Sequence, residues 1–142
     1  MIRQATAVWS GGLKDGKGSL TTLSKALSNV PYDFRMRFEE APGTNPEELI
    51  AAAHAGCFSM ALSGELGKAN ITAKRIETTA KVTLEPVDGK PTVTKSDLFL
   101  EVDAPGASKG AIEKAANDAK AGCPISRLLS NTRISLAMTV NV

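Results

Sequence analysis

The sequence predicts an α+β fold in which antiparallel sheets pack around central, buried helices. Three observations carry this. Long runs alternate apolar and polar residues with period two, the signature of half-buried strands. The stretch from Leu49 to Ser63 carries no charge and is rich in Ala, Leu, Met and Phe, too apolar all round for a surface helix. The elements come in blocks, strands and then helices joined by long hairpins, without the strict strand–helix alternation of a parallel sheet. A single domain over residues 1–142 is expected, because no linker, repeat or low-complexity tract divides the chain. With 42% hydrophobic residues, such a domain can build a core without disulfide staples.

Residues 2–9 and 18–24 read as short strands joined by a loop containing Gly11, Gly12 and Gly16. That loop nearly spells a phosphate-binding motif, but Gly18 stands where a Ser or Thr should hold magnesium, and the following SLTTLS looks like a strand where the motif needs a helix. A hairpin loop fits better. Asn29 and Pro31 mark a polar connection, after which Phe34-Arg35-Met36-Arg37-Phe38 alternates strictly and predicts a strand with its arginines on the solvent side. Thr44 to Leu66 is the best-marked helix, with Asn45 as N-cap, Pro46 at the first helical position, and Glu47 and Glu48 where carboxylates suit the helix dipole. Its uncharged run, Leu49 to Ser63, is shorter than the roughly twenty residues of a membrane span, so a core position is expected.

Ile76 to Glu85 alternates as a strand, Val87-Asp88-Gly89-Lys90 turns, and Val93 to Val102 returns. Ser108 can cap a helix with Ile112, Ala115, Ala116 and Ala119 on one face, closed by Gly122. Cys123 then takes the N-cap of a short helix that has Pro124 at its first position and ends near Ser130. Thr132 to Val142 finishes the chain as a strand.

A net charge of +2, with Lys and Arg scattered and 4% aromatic residues, argues against nucleic-acid binding. The first residues, MIRQATAVWSGG, have no secretory pattern, which predicts a cytoplasmic protein whose two cysteines are reactive or buried and not permanently bridged. The groups able to do chemistry are Cys57, Cys123, His54, Arg35, Arg37, Glu47 and Glu48. Two cysteines and one histidine without paired spacing do not make a metal site, and no other cofactor is implied. His54 lies three residues before Cys57 on the same side of the helix, so a Cys-His hydrolase is conceivable, but no Asn or Asp is placed to orient the histidine. Thiol redox chemistry asks for less: one ionisable thiol, a cation beside it and a second thiol. Local context selects Cys123 as the thiolate, at a helix N-terminus, whereas Cys57 in apolar surroundings should have a raised pKa.

RFEE at Arg37 to Glu40, GTNPEEL at Gly43 to Leu49, AAHAGCFSMAL at Ala52 to Leu62 and AKAGCPIS at Ala119 to Ser126 resemble the osmotically inducible protein C (OsmC) family, which is related to the organic hydroperoxide resistance proteins. The likeness runs nearly end to end and includes Trp9 and the segment GKGSL at Gly16 to Leu20. It implies a thiol-dependent peroxidase acting on organic hydroperoxides and hydrogen peroxide, with Cys57 peroxidatic and Cys123 resolving, reversing the order that local context suggests. Arg37 and Glu47 complete the site by the same resemblance, and a dithiol reductant, of lipoyl type in the family, resets the cycle. Glu47 and Cys57 stand ten residues apart on one helix, about 15 Å of rise, so both can serve one site only if Glu47 comes from a second subunit. This agrees with the intertwined homodimer that the resemblance implies. The alternative is a non-catalytic stress-associated protein that binds an apolar ligand in the cleft between subunits.

Overall fold

The computed structural model describes residues 1–142, and they fall into two compact units, Met1–Leu49 and Ile50–Val142. The first unit holds an antiparallel sheet ordered β1 (Ala5–Ser10), β2 (Lys17–Thr22), β3 (Val30–Tyr32). The glycine loop is the hairpin the sequence predicted, pairing Ser10 with Lys17. β3 replaces the expected polar connection. It is an edge strand, where Pro31, which has no N–H to donate, is tolerated. Gly18 lies between Trp9 and Tyr32 across the sheet, and their rings stand 5.4 Å apart. A Cβ there would lie 2.5 Å from the Tyr32 ring and 2.6 Å from that of Trp9, so only glycine fits.

Phe34–Phe38 is a helix, α1, and not the strand its alternation predicted. Five residues satisfy either period, and the residue before them decides: Asp33 Oδ1 accepts from the Met36 N–H at 2.9 Å, a side-chain N-cap. The Arg37 N–H then reaches the Asp33 carbonyl at 3.2 Å, completing a helical turn.

Helix α2 (Pro46–Lys68) begins where predicted. Asn45 Oδ1 accepts from the Glu48 N–H at 2.8 Å, while Asn45 Nδ2 donates to the Met36 carbonyl at 3.0 Å and ties the start of α2 to α1. At 23 residues, α2 is longer than its apolar run suggested and passes for a membrane span by length and composition. Its residues from Ile50 onward instead form part of the second unit's core, with His54, Phe58, Leu62 and Leu66 buried at four-residue spacing. Each of the three apolar side chains contributes about 1.5–3 kcal/mol by leaving water. The opposite side of the helix, with Ala52, Ala53, Gly56 and Met60, is exposed, Met60 by 79%.

The second unit's sheet is ordered β4 (Arg75–Val87), β5 (Lys90–Asp103), β6 (Arg133–Asn141). β4 and β5 form the predicted antiparallel hairpin, whereas β5 and β6 pair in parallel, a departure from the antiparallel expectation. The physical reason is the crossover between them, which carries α3 (Lys109–Gly122) and α4 (Pro124–Leu128) and delivers β6 running the same way as β5. One face of β5, with Ser96, Leu98, Leu100 and Val102, is buried in the core with the α2 stripe and with Ile112, Ala115, Ala116 and Ala119 of α3. α3 ends without a left-handed glycine: Cys123 closes it by donating its N–H to the Ala119 carbonyl at 2.9 Å, and in the same position caps α4.

Candidate active site

The structure brings the predicted site residues together as two pairs, one in each unit. In the first unit, Arg37 on α1 holds Glu47 in the first turn of α2 with two parallel hydrogen bonds, Nη2 to Oε1 at 3.0 Å and Nε to Oε2 at 3.3 Å. This planar fork fixes the guanidinium in direction as well as in place. Glu47 is buried and Arg37 is exposed, its side chain by 39%, and the α1 geometry that the sequence missed is what presents this arginine to the carboxylate. Beside it opens a groove of about 280 Å³ walled by Trp9, Leu13, Tyr32, Phe34 and Phe38, with Asp33 and Arg37 as its polar members. The other two charged candidates lie outside the pair. Arg35 is exposed and bridges to Glu39 at 3.3 Å, and Glu48 accepts from the Thr44 hydroxyl at 3.2 Å.

In the second unit, Cys57 on α2 and Cys123 at the α3–α4 corner are both free, and Cys57 packs against the core cluster that contains Cys123, close enough for the two sulfurs to interact. Cys123 is buried, and Cys57 is partly open. Burial pushes the Cys57 thiol up from its ordinary value; a backbone hydrogen bond from Ile125 pulls the other way, and the neighbouring Cys123 sulfur adds to the rise. This is the direction the sequence anticipated for a cysteine in the middle of an apolar helix. The Cys123 Sγ accepts from the Ser126 N–H at 3.3 Å and donates to Ser126 Oγ at 3.2 Å.

Ser126 and Ser96 are the members of this cluster that sequence reasoning missed. His54, fully buried, has Ser96 Oγ 2.6 Å from Nδ1 and Ser126 Oγ 2.8 Å from Nε2. Burial holds its pKa below the ordinary value, so the ring is neutral. For Ser126 a signal existed: it stands three residues after an N-cap cysteine, where the backbone N–H points at the cap. For Ser96, on a strand 42 residues from His54, there was none.

Two thiols in contact in a core, one of them reachable from outside, can cycle between dithiol and disulfide, the arrangement of a thiol-based redox protein. The chain belongs to the OsmC-like protein family, whose model matches residues 39–138. It is 49% identical to Peroxiredoxin OsmC of Escherichia coli (strain K12) over 127 residues, 89% of each chain. Among solved structures, the organic hydroperoxide resistance protein OhrB of Bacillus subtilis matches with a TM-score of 0.70 at 25% identity, covering 96% of this chain and 98% of that one. An OsmC-like protein from Mycoplasma pneumoniae matches at 0.77, covering 100% of this chain and 99% of that one, and at 18% identity shows the shared fold.

Proposed function

We propose that this chain is a thiol-dependent peroxidase that reduces organic hydroperoxides and hydrogen peroxide. The observation that carries the reading is the contact of the two free thiols, Cys57 partly open and Cys123 buried behind it. The names of the relatives, a peroxiredoxin and a hydroperoxide resistance protein, support it from outside. In the cycle, the Cys57 thiolate attacks the outer peroxide oxygen, the O–O bond breaks, and the alcohol or water leaves after taking a proton. Cys57 is left as a sulfenic acid, Cys123 closes the disulfide with loss of water, and a dithiol reductant, of lipoyl type in the family resemblance, returns both thiols. No cofactor takes part.

Because burial raises the Cys57 pKa, a thiolate at neutral pH needs a cation beside it. Arg37, held by Glu47, is the cation we assign to it, and it comes from a second subunit. Glu47 and Cys57 are ten helical residues apart, about 15 Å along α2, which is too far for one chain to supply both to one site. Two further observations favour a homodimer with shared sites. The exposed side of α2 around Gly56 and Met60 carries no charge, and no residue of β1 is buried, with Val8 exposed by 57% and Trp9 by 37%. Such apolar surface is the kind a partner subunit covers. The family match crosses the boundary at Leu49, which supports one functional domain over residues 1–142. A thiol cycle of this kind works in a reducing compartment, in keeping with a cytoplasmic location.

The test is stoichiometric. Fully reduced protein given one equivalent of an alkyl hydroperoxide should yield the Cys57–Cys123 disulfide by peptide mapping, and Cys123→Ser should stop at a trappable sulfenic acid on Cys57. Thiols that survive the hydroperoxide untouched would sink the peroxidase reading and turn attention to the apolar groove as a binding site.

A further inference from the structure

His54 is a buried titratable group that the proposed cycle leaves unused, and its contacts lead to the second sulfur. The line runs from Ser96 Oγ to His54 Nδ1 at 2.6 Å, from Nε2 to Ser126 Oγ at 2.8 Å, and from Ser126 Oγ to Cys123 Sγ at 3.2 Å. Ser96 and His54 are 0% exposed, Cys123 1% and Ser126 4%, so bulk water does not reach the line. The donors follow by elimination. If the Cys123 thiol donates to Ser126 Oγ, the Ser126 hydroxyl is free to donate to Nε2, which must then be unprotonated, and Nδ1–H donates to Ser96 Oγ.

We propose that Ser96, His54 and Ser126 form a proton relay that deprotonates Cys123 at the moment it attacks oxidised Cys57. The proposal rests on the reading of Cys123 as the resolving thiol. A thiol must give up its proton to attack, and one sealed from water needs an internal acceptor for that proton. In the step, the Cys123 proton passes to Ser126 Oγ as the Ser126 hydroxyl proton passes to His54 Nε2. The S–S bond forms while the S–O bond of the Cys57 sulfenic acid breaks. The proton held on His54 returns along the same hydroxyl to the departing hydroxide, which leaves as water. Cys57 sulfur is reduced and Cys123 sulfur oxidised, with no other reactant. Burial, which disfavours the charged ring, suits a group that must give the proton back. Ser96 orients the ring and keeps the acceptor nitrogen turned to Ser126. His54 acts through Ser126, so it is a positioning and relay residue and not a catalytic one.

The two steps can be timed separately by rapid quench with one equivalent of an alkyl hydroperoxide, the sulfenic acid being trapped with dimedone and the disulfide read by non-reducing mass spectrometry. His54→Gln, whose amide can still meet Ser126, and Ser126→Ala should form the sulfenic acid within about twofold of the wild-type rate and close the disulfide more than about tenfold slower. The double variant should close no slower than the slower single, because both remove one path. Closure at the wild-type rate in both variants, or equal slowing of both steps, would overturn the relay. Diamide in place of the hydroperoxide adds to the Cys57 thiolate across its N=N bond without peroxidase chemistry; Cys123 then attacks the Cys57 sulfur of this adduct, the S–S bond forms, the S–N bond breaks and the reduced hydrazine leaves. A wild type that closes with diamide and not with hydroperoxide refutes the peroxidase reading, and the His54→Gln rate with diamide then decides the relay by itself.

Discussion

If each site takes Cys57 from one chain and the Arg37–Glu47 pair from the other, two dead variants should repair one another. Glu47→Ala removes both anchors of the Arg37 guanidinium, the contacts at 3.0 and 3.3 Å. Charge-assisted bonds contribute about 1.5–3 kcal/mol when buried, and solvent screening at Arg37, 39% exposed, brings the pair down to about 1 kcal/mol, which corresponds to about fivefold in the population of the held arginine. Cys57→Ser removes the nucleophile outright. Unfolded together in equal amounts and refolded, the two variants should reassort so that about half of the dimers are mixed. Each mixed dimer has one site with both lesions and one with neither, so about a quarter of the wild-type sites, and about a quarter of the wild-type turnover, should return. The assay is peroxide consumption with excess dithiol, normalised to the mixed-dimer fraction measured by native mass spectrometry. Mixed dimers with no activity above the two parents would refute the shared site, because a site built within one chain stays dead in every combination.

Other consequences follow from particular contacts. His54 is the chain's only histidine and burial lowers its pKa, so the unfolded chain binds more protons than the folded one in that range. Stability should therefore be fully present above the ordinary histidine value of 6.5 and fall as the pH drops below it. The denaturant midpoint should drop between about pH 7.5 and about pH 5.5 in the wild type and stay nearly flat in His54→Gln, and a wild type equally flat would contradict the buried neutral ring. Leu62→Ala, at a fully buried position of the α2 stripe, should cost about 2–5 kcal/mol by denaturant unfolding; a loss under about 1 kcal/mol would mean that the site is not in a tight core. Asn45→Asp keeps the acceptor that caps α2 but loses the donor to Met36. It should lower turnover by loosening α1 and Arg37 while costing less stability than Asn45→Ala, which loses about 0.5–2 kcal/mol. An Asn45→Asp variant with wild-type turnover would deny the link between α2's cap and Arg37.

What was legible in the sequence was chemistry that acts over a few residues. Asn45, Pro46 and the two glutamates start α2 by capping, local φ and the helix dipole, and the structure has the helix at Pro46. Cys123 before Pro124 marked a helix cap in the same way, and its sulfur does take the Ser126 N–H. Phe34–Phe38 was not legible because five residues satisfy two periods, and a single hydrogen bond from Asp33 decides between them. The parallel pairing of β6 depends on where a long crossover carries the chain, which alternation along the strand cannot encode. The pairing of Cys57 with Cys123 came from the family resemblance, while local reasoning ranked the two thiols in the opposite order for nucleophilicity. His54 illustrates the limit best: its partners lie 42 and 72 residues away, and only the folded core reveals that they converge on the same ring.

The most direct measurement of the central claim is steady-state peroxide consumption by the fully reduced protein with excess dithiol, comparing hydrogen peroxide with an alkyl hydroperoxide, beside Cys57→Ser. The account predicts turnover with both peroxides in the wild type, faster with the alkyl hydroperoxide because the groove beside Arg37 is walled by Trp9, Tyr32, Phe34 and Phe38, and none in Cys57→Ser. Turnover that survives in Cys57→Ser, or a wild type with both thiols free that consumes neither peroxide, would contradict it.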